Sequence, residues 1–291
     1  MQVLSLFDGI SCGKQALDSL GIECEYMASE IDKYAISVSE HRHPSIIQMG
    51  DVQAIEPAGC SWDLLIGGSP CQSFSSSGHQ QGFDGESKLF WEYIRVLNQG
   101  SFKYFMLENV SMKKEWLDII TKELGVEPVY IDSRVFGAQS RKRYYWTNIP
   151  LSPIPTDDSS ETVSDILEIE VDNKYYLSDN TVNRIKNSRT GGTRFIDYST
   201  KKARTILASY SKLPSDAEYI EDELGYRKYT PLEFERLQGL PDNYTDILSD
   251  TRRYQTIGNG WHIPTVKFLF SYFGLGPVSY THLTLPTNRE V

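Results

Sequence analysis

Short apolar runs alternate with amphipathic stretches over the first 150 residues, and this alternation most constrains the fold. The strand-like runs are residues 3–7, 24–28, 63–66, 104–107 and 144–147. The helical patterns between them are residues 13–20, 33–41, 89–97 and 115–124. This order predicts βαβ units and a parallel sheet that is covered by helices on both faces. Since open sheets of this kind bind ligands at the carboxyl ends of their strands, the loops after the strands are the candidate sites.

The middle of the chain has a different texture. Pro153 and Pro155 mark a boundary just after residue 150, and the sequence from there to residue 226 is polar and rich in loop-forming residues. We therefore expect a small inserted domain at residues 151–226. Residues 277–291 are expected to be a non-native or disordered tail, because their Thr/Leu/Pro composition continues no helical pattern.

A helical pattern resumes after the insertion. Thr230 is placed to cap a helix over residues 230–238, with Pro231 at its first position and Glu233 three residues beyond the cap. A last helix is predicted at residues 263–272. We expect residues 227–276 to return to the first domain, residues 1–150, and to complete it.

Composition excludes several classes of protein. With 40% hydrophobic and 23% charged residues, the chain has the proportions of a globular protein. Its four cysteines form no C-x-x-C pair and no Cys/His cluster, so neither a disulfide scaffold nor a metal site is expected. No signal peptide is evident, and no apolar run approaches the roughly 18 residues of a membrane span. The sequence therefore predicts a cytoplasmic protein without a membrane partner.

The net charge of −10 argues at first against a nucleic-acid partner, because phosphate binding depends on clustered Lys and Arg. The charge is segregated, however. Residues 184–212, the basic segment, carry eight cations and one acid, whereas residues 151–183 carry eight acids and one cation. The basic segment is therefore a candidate nucleic-acid contact inside an acidic chain.

Residues suited to a nucleotide-like ligand follow the first two strand-like runs and a further short run, third along the chain, that ends at residues 50–52. Phe7-Asp8-Gly9-Ile10 forms a glycine-containing turn, which lets the backbone approach such a ligand. At Glu30-Ile31 an acid can accept hydrogen bonds from the ribose hydroxyls of an adenosine, and the acid of Asp51-Val52 can bind an adenine amino group. Taken singly, each motif is also compatible with an ordinary turn or an acid at a helix start.

Reactive groups follow the next two strands. The fourth strand leads into a Gly/Pro/Ser loop with an accessible thiol at Cys71, and the fifth strand ends at Glu108. Arg141 and Arg143 enter the following strand at the same predicted edge. An isolated Pro-Cys pair or a basic turn is more often inert. The prediction of a reactive site therefore depends on the combination of the thiol, the acid and the two arginines.

The order of these motifs resembles that of the DNA cytosine-5 methyltransferase family. The matching stretches are FDGI (7–10), SEID (29–32), GD (50–51), SPCQ (69–72), ENV (108–110), QSRKR (139–143), TPLE (230–233), RLQG (236–239) and IGNG (257–260). The resemblance covers residues 3–274 and is to the small prokaryotic or phage type. The first turn also resembles that of the mammalian de novo enzymes, since it lacks the second glycine usual in bacterial members. Gly260-Trp261 stands where a serine or alanine commonly follows Gly-Asn.

The resemblance implies an α/β fold, a Rossmann-like class I methyltransferase sheet with a small inserted target-recognition domain. It implies transfer of a methyl group from S-adenosylmethionine to C5 of a flipped cytosine in double-stranded DNA. Cys71 would attack C6 as thiolate, Glu108 would protonate N3, and Arg141 and Arg143 would hold the base O2. The implied cofactor-binding residues are Phe7, Asp8, Gly9, Ile10, Glu30, Ile31, Asp51, Val52, Leu89 and Asn259.

Two stretches are expected to contact DNA. One resembles the family's mobile loop (residues 72–87), and the other resembles its recognition loops in the inserted domain. The candidate residues are Gln72, Ser75, Thr193, Arg194, Arg204 and Thr205. For each of them the alternative is an ordinary surface residue.

Two other functions stay open at this point. A transfer-RNA cytosine-5 methyltransferase shares most of these motifs, although the Cys-Phe-Thr tripeptide of that branch is absent. A catalytically silent DNA-binding regulatory paralogue would have no need of Cys71 and Glu108. Because the pattern starts at residue 3, we expect a minimal monomeric enzyme without amino-terminal reader domains. A bacterial or phage-infected cell is its expected setting, with a cognate restriction endonuclease that acts independently.

Overall fold

The computed structural model describes residues 1–57, 59, 61–70, 89–188, 195–197, 199–214 and 217–273. The strands are β1 (Gln2–Leu6), β2 (Glu25–Ser29), β3 (Ile47–Gln48), β4 (Ser61–Gly67), β5 (Ser101–Val110), β6 (Val129–Asp132), β7 (Lys142–Thr147), β8 (Phe195–Ile196), β9 (Tyr219–Asp222) and β10 (Gly225–Arg227). The helices are α1 (Cys12–Ser19), α2 (Lys33–Arg42), α3 (Phe90–Gln99), α4 (Lys114–Leu124), α5 (Val163–Ile166), α6 (Asp179–Lys186), α7 (Pro231–Gln238), α8 (Asp250–Asn259) and α9 (Ile263–Phe270). None of these described helices is long and apolar enough to cross a membrane.

Seven of the described strands form one sheet in the order β3-β2-β1-β4-β5-β7-β6. The strands from β3 to β5 pair in parallel, as the alternation predicts. Strand β7 runs antiparallel to both β5 and β6, so the prediction of a wholly parallel sheet is wrong at this end. The sequence pattern did not predict β6, because an edge strand of four residues leaves almost no periodic signal.

Both faces of the sheet are covered. Val3 of β1 packs in one core cluster with Leu269 of α9, whereas its neighbour Leu4 packs in the other cluster with Tyr93 of α3. Successive side chains of a strand point to opposite faces, and here both directions lead into a core. This arrangement explains why the strands are continuous apolar runs in the sequence rather than alternating ones.

Helix α7 begins as predicted. Thr230 Oγ1 accepts a hydrogen bond from the Glu233 amide at 3.1 Å, and Glu233 Oε2 accepts one from the Thr230 amide at 2.8 Å. This reciprocal capping box satisfies two amides that the helix itself leaves unpaired. The helix ends at Gly239, whose φ of +70° is the left-handed conformation that favours glycine at this position.

Glu233 also anchors a buried ionic cluster. Arg227 Nη1 and Nη2 donate to the two Glu233 carboxylate oxygens at 2.9 and 3.0 Å, and Arg227 Nε donates to Asp222 Oδ2 at 2.9 Å. Arg227 and Glu233 are both 0% exposed. The cluster thus joins the small sheet β8-β9-β10 to the capped start of α7.

We expect Arg227→Met to lower the free energy of unfolding by about 3–5 kcal/mol, because two carboxylates would stay buried without their cation. Urea denaturation of the purified variant measures this. Arg236→Met is the matched control, since the Arg236–Asp242 pair is partly exposed and such a pair contributes at most about 1 kcal/mol. Equal losses in the two variants would contradict the assigned importance of the buried cluster.

The region between β7 and α7 contains more regular structure than the sequence suggested. Among its described residues are α5, α6 and the three short strands β8, β9 and β10, which form a separate sheet. Strand β9 pairs with β10 antiparallel and with β8 in parallel. Strands of two to four residues are too short to give a recognisable sequence period, which is why the prediction there was irregular structure.

Candidate functional site

A cleft of about 350 Å³ lies at the carboxyl ends of the parallel strands. Most residues that the sequence singled out line it together. They are Phe7, Asp8, Gly9, Glu30, Ile31, Asp51, Val52, Leu89, Glu108, Arg141, Arg143 and Asn259. Ile10 does not line the cleft, because its side chain is 0% exposed and packs in the core. Cys71, Gln72, Ser75, Thr193 and Arg194 lie outside the described residues.

The turn after β1 has an unusual backbone. Phe7, Gly9 and Ser11 have φ angles of +58°, +61° and +60°. A bulky side chain rarely adopts this left-handed conformation, which costs roughly 1–3 kcal/mol and is found mostly at functional sites. At Gly9 the conformation carries no such cost, and the Gly9 amide points to the end of β2.

Glu30 receives that amide. Its Oε2 accepts from Gly9 N at 2.8 Å, and its Oε1 accepts from the amides of Ile31 and Asp32 at 2.8 and 2.9 Å. A carboxylate has about four acceptor positions, so these bonds leave room for about one more donor. The Glu30 carboxylate is therefore held firmly at the cleft wall. It can accept about one further hydrogen bond, whereas the sequence-based prediction of contact with both ribose hydroxyls requires two.

The Asp8 carboxylate forms hydrogen bonds with side chains of the protein. Its carboxylate accepts hydrogen bonds from the hydroxyls of Ser5, Ser11 and Tyr26. Burial raises the pKa of Asp8 to about 6, with a smaller contribution from the negative charge of Glu30, although the three hydroxyl donors oppose this rise. Asp8 thus fixes the shape of the turn and adds to the acidic character of this part of the cleft.

Charge is divided along the cleft by the order of the strands. Asp8, Glu30 and Asp51 follow β1, β2 and β3, on one side of the sheet. Arg141 and Arg143 belong to the other side, at the start of β7. The first half therefore suits a ligand that carries positive charge, whereas the second suits an electron-rich or anionic group.

Glu108 and Arg143 form an ion pair in the second half. The distance from Arg143 Nε to Glu108 Oε1 is 2.8 Å, and the two side chains are only 13% and 11% exposed. In the β5–β7 register Glu108 is opposite Tyr145 and Arg143 is opposite Val110, so the paired side chains are diagonal neighbours on one face. The position of the acid is thus fixed by the sheet rather than by a loop.

Gly68 allows the close packing around this acid. A Cβ atom added to Gly68 would lie 3.3 Å from Glu108 Oε2 and 2.8 Å from Trp261 Nε1. Trp261 is 9% exposed and also lines the cleft. A side chain at position 68 would therefore displace either the acid or the indole.

Arg141 has different partners from Arg143. Its Nη2 donates to the carbonyl oxygen of Gly260 at 3.0 Å, and its side chain is buried. Arg141 therefore connects the start of β7 to the segment that carries Asn259. The two arginines predicted to act together on a base are thus held by separate parts of the protein.

Several residues that line the cleft were given no role from the sequence, although most of them stand in or beside the matched stretches. They are Ser69, Pro70, Val110, Thr256, Gly260 and Trp261. The glycine in place of serine or alanine at position 260 has a steric reason, since an added Cβ would lie 3.0 Å from Cys12 Sγ and 3.2 Å from the Ile257 carbonyl oxygen. The departure from the common Gly-Asn-Ser pattern was the signal that could have placed residues 260 and 261 at the site.

Two residues of the predicted DNA contact differ in orientation. The side chain of Arg204 is 56% exposed, with its Nε 3.6 Å from Glu218 Oε2. The hydroxyl of Thr205 instead donates to the Ser140 carbonyl oxygen at 2.9 Å. Lys202 also points inward and donates to several oxygens of residues 137–161, so part of the charge of the basic segment is structural.

The chain matches the family described as C-5 cytosine-specific DNA methylase over residues 1–273. The type II methyltransferase M.NlaX of Neisseria lactamica is 31% identical over 91% of this chain and 94% of its own length. The type II methyltransferase M1.ScrFI of Lactococcus lactis subsp. cremoris is 30% identical over 91% of this chain and 76% of its own.

Solved structures share the fold. S. pombe Dnmt2 methyltransferase has a TM-score of 0.72 at 18% identity, covering 93% of this chain and 97% of that one. A putative DNA modification methyltransferase of an E. coli prophage has a TM-score of 0.68 at 19% identity, covering 94% and 99%. The predicted methyltransferase fold and family resemblance are thereby confirmed. The chain belongs to the C-5 cytosine-specific DNA methylase family and is a DNA cytosine-5 methyltransferase.

Proposed function

We propose that this cleft binds S-adenosylmethionine in its acidic half and a flipped cytosine of double-stranded DNA beside Glu108. The observation that carries the proposal is the Glu108–Arg143 pair, which lies in the same cleft as the acids at the ends of β1, β2 and β3. A methyl donor and an acceptor base can therefore meet without a large movement of the sheet.

The acidic half fits the proposed cofactor. S-adenosylmethionine carries a sulfonium and an ammonium group, and Asp8, Glu30 and Asp51 supply the complementary charge. Ile31 is 73% exposed although it lines the cleft, so an adenine ring packed on it would remove apolar surface from water. When bound, the cofactor supplies the methyl group.

Residues of this chain have distinct roles toward that ligand. Glu30 accepts a hydrogen bond from a ribose hydroxyl with its remaining acceptor position. Asp51 accepts a hydrogen bond from the adenine amino group. The apolar parts of the cofactor pack on Phe7, Val52 and Leu89. The backbone of Gly9 and the side-chain amide of Asn259 border it as well. Ile10 supports the site from the core rather than by lining the cleft. Its carbonyl oxygen accepts a hydrogen bond from the Tyr244 hydroxyl at 2.9 Å.

The covalent step follows from the chemistry of cytosine. C5 is a poor nucleophile, so Cys71 attacks C6 as thiolate and pushes an electron pair into the ring. Glu108 delivers a proton to N3, and Arg141 and Arg143 hold O2 and orient the base. C5 then takes the methyl group as the bond from the methyl carbon to the sulfonium sulfur breaks. Loss of the C5 proton restores the C5–C6 double bond and releases the thiolate, and N3 returns its proton to Glu108.

The base must leave the duplex to reach these groups, which costs a few kcal/mol. We assign DNA contact to residues 72–87, including Gln72 and Ser75, and to a target-recognition domain at residues 151–226. Within that domain Arg204 is exposed and available, and Thr193 and Arg194 complete the set. Thr205 supports it through its bond to Ser140. Residues 1–150 and 227–276 form the domain that holds the cofactor.

The named relatives are type II methyltransferases, so we place this chain in a restriction-modification setting. It acts as a monomer on double-stranded DNA, and a cognate restriction endonuclease acts separately.

Bisulfite sequencing tests the proposed function. Plasmid DNA incubated with the protein and S-adenosylmethionine is expected to keep unconverted cytosines within one short recurrent sequence. Transfer RNA treated in the same way is the comparison substrate. Protection confined to transfer RNA would overturn the assignment to DNA, and no protection of either would overturn the enzymatic function.

A further inference from the structure

Two buried glutamine side chains connect separate parts of the molecule. Gln139 precedes β7 and Gln238 ends α7, and both are 0% exposed. Gln139 Nε2 donates to Gln238 Oε1 at 3.0 Å and to the Leu237 carbonyl oxygen at 2.8 Å. Neither residue has a role in the covalent step described above.

On one side, Gln139 holds residues 203–206, the segment that carries Arg204. Gln139 Oε1 accepts from the Ile206 amide at 3.1 Å. The backbone around it is paired as well, since Ala203 N donates to Ala138 O at 2.8 Å and Ser140 N donates to Ala203 O at 2.7 Å. The proposed DNA contact is therefore attached directly to the segment that leads through Arg141 into β7.

On the other side, Gln238 holds the end of α8. Its Nε2 donates to the carbonyl oxygens of Ile257 and Gly260 at 3.0 and 2.9 Å. Arg141 Nη2 donates to the same Gly260 oxygen at 3.0 Å. One carbonyl group thus receives both the glutamine network and a cleft arginine, next to Asn259 on the cleft wall.

A direct contact parallels this network. A Cβ atom added to Gly258 would lie 2.5 Å from Ala208 N and 2.6 Å from Ala208 Cα. Since these are backbone atoms, they could not move aside without shifting the chain after residue 206. Residues 207–208 therefore rest on α8 one residue before Asn259.

The network is satisfied at each amide. Gln139 uses its oxygen and two donors, and Gln238 uses its oxygen and two donors, all toward described residues. Such a set fixes relative positions more strictly than apolar packing does, because each bond has a preferred direction. These bonds form one continuous path from the Ile206 amide through Gln139 and Gln238 to the Gly260 carbonyl oxygen.

We propose that Gln139 is a positioning residue that couples DNA contact at residues 203–206 to cofactor binding, through Gln238 and Gly260. The proposal rests on the proposed function, because it uses the assigned DNA and cofactor sides of the cleft. Coupling between two binding sites is reciprocal, so bound DNA raises cofactor affinity by the same factor by which bound cofactor raises DNA affinity.

Calorimetric titration of S-adenosylhomocysteine, with and without a duplex that the wild-type protein methylates, tests the coupling. For the wild type we expect the duplex to tighten binding by about 5-fold or more, the lower range of known couplings. In Gln139→Met this factor should fall below about 2-fold, while binding without DNA stays within about 2-fold of wild type. Gln238→Met should behave alike, and the double variant should lose nothing further.

Thr121→Val is the matched control, since it removes a single side-chain hydrogen bond to Trp146 on the opposite face of the sheet and should keep the coupling factor. If Gln139→Met does not fold, Gln139→Glu keeps the acceptor for Ile206 and loses the donor to Gln238, and it must uncouple as well. A wild type without coupling, or a Gln139 variant with full coupling, overturns the proposal. A wild type that methylates no DNA overturns the proposed function instead.

Discussion

DNA in which 5-fluorocytosine replaces the target cytosine is expected to become covalently attached to the wild-type protein at Cys71. Release of the thiolate needs loss of the group at C5 as a cation, which a proton can do and fluorine cannot. The methylated adduct therefore persists. Cys71→Ser should give no adduct and no methylation, because a serine hydroxyl is not ionised at neutral pH without a dedicated base.

A denaturing gel with labelled DNA detects the adduct, and mass analysis of the attached peptide identifies the residue. Cys24→Ser is the control, since the half-buried thiol of Cys24 lies outside the cleft and its loss should leave the adduct unchanged. Cys12 lines the cleft, but burial raises the pKa of its thiol to about 12, so it is not a nucleophile at neutral pH. Adduct formation by Cys71→Ser, or its absence in the wild type, would refute the covalent mechanism.

The sequence predicts the sheet well where burial on two faces leaves a clear pattern. The apolar runs of β1, β2 and β4 and the Thr230–Glu233 capping box belong to this class. Helix α8 was missed, because its first turn is the polar run Asp250–Arg253 and its buried residues begin only at Tyr254, which leaves little periodic signal. The direction of β7 was also beyond reach, since a strand's local pattern does not state which neighbour it will pair with.

The residues of the site also fall into those that the sequence predicts and those that it does not. Glu30, Asp51 and Glu108 were found because each lies at the carboxyl end of a strand or just beyond it, and the carboxyl ends of neighbouring strands meet. Thr205 was expected to face DNA but bonds to Ser140, because the direction of one loop side chain depends on distant packing. Gln139 belongs to the matched stretch QSRKR but was given no role, because nothing local distinguishes a buried glutamine from an exposed one.

Glu108→Gln is expected to lower the rate of methyl transfer by about 10²–10⁴-fold, the usual contribution of a positioned proton donor. The amide can still accept the hydrogen bond from Arg143, but its N–H groups are too weakly acidic to transfer a proton to N3. The negative charge that the attack of Cys71 creates on the ring then stays uncompensated. DNA and cofactor binding should change much less than the rate, because the shape of the cleft is retained.

Initial rates with labelled S-adenosylmethionine at saturating DNA measure this effect, and the adduct with 5-fluorocytosine DNA should form more slowly by a similar factor. Glu92→Gln is the matched control, since the Glu92–Arg95 pair on α3 has the same chemistry, with an oxygen–nitrogen distance of 2.7 Å, away from the cleft. A Glu108→Gln rate within about threefold of wild type would contradict the role of Glu108 as proton donor, because loss of such a donor costs about 10²-fold or more. Arg141 and Arg143 would then have to stabilise the charged ring, through O2 rather than N3.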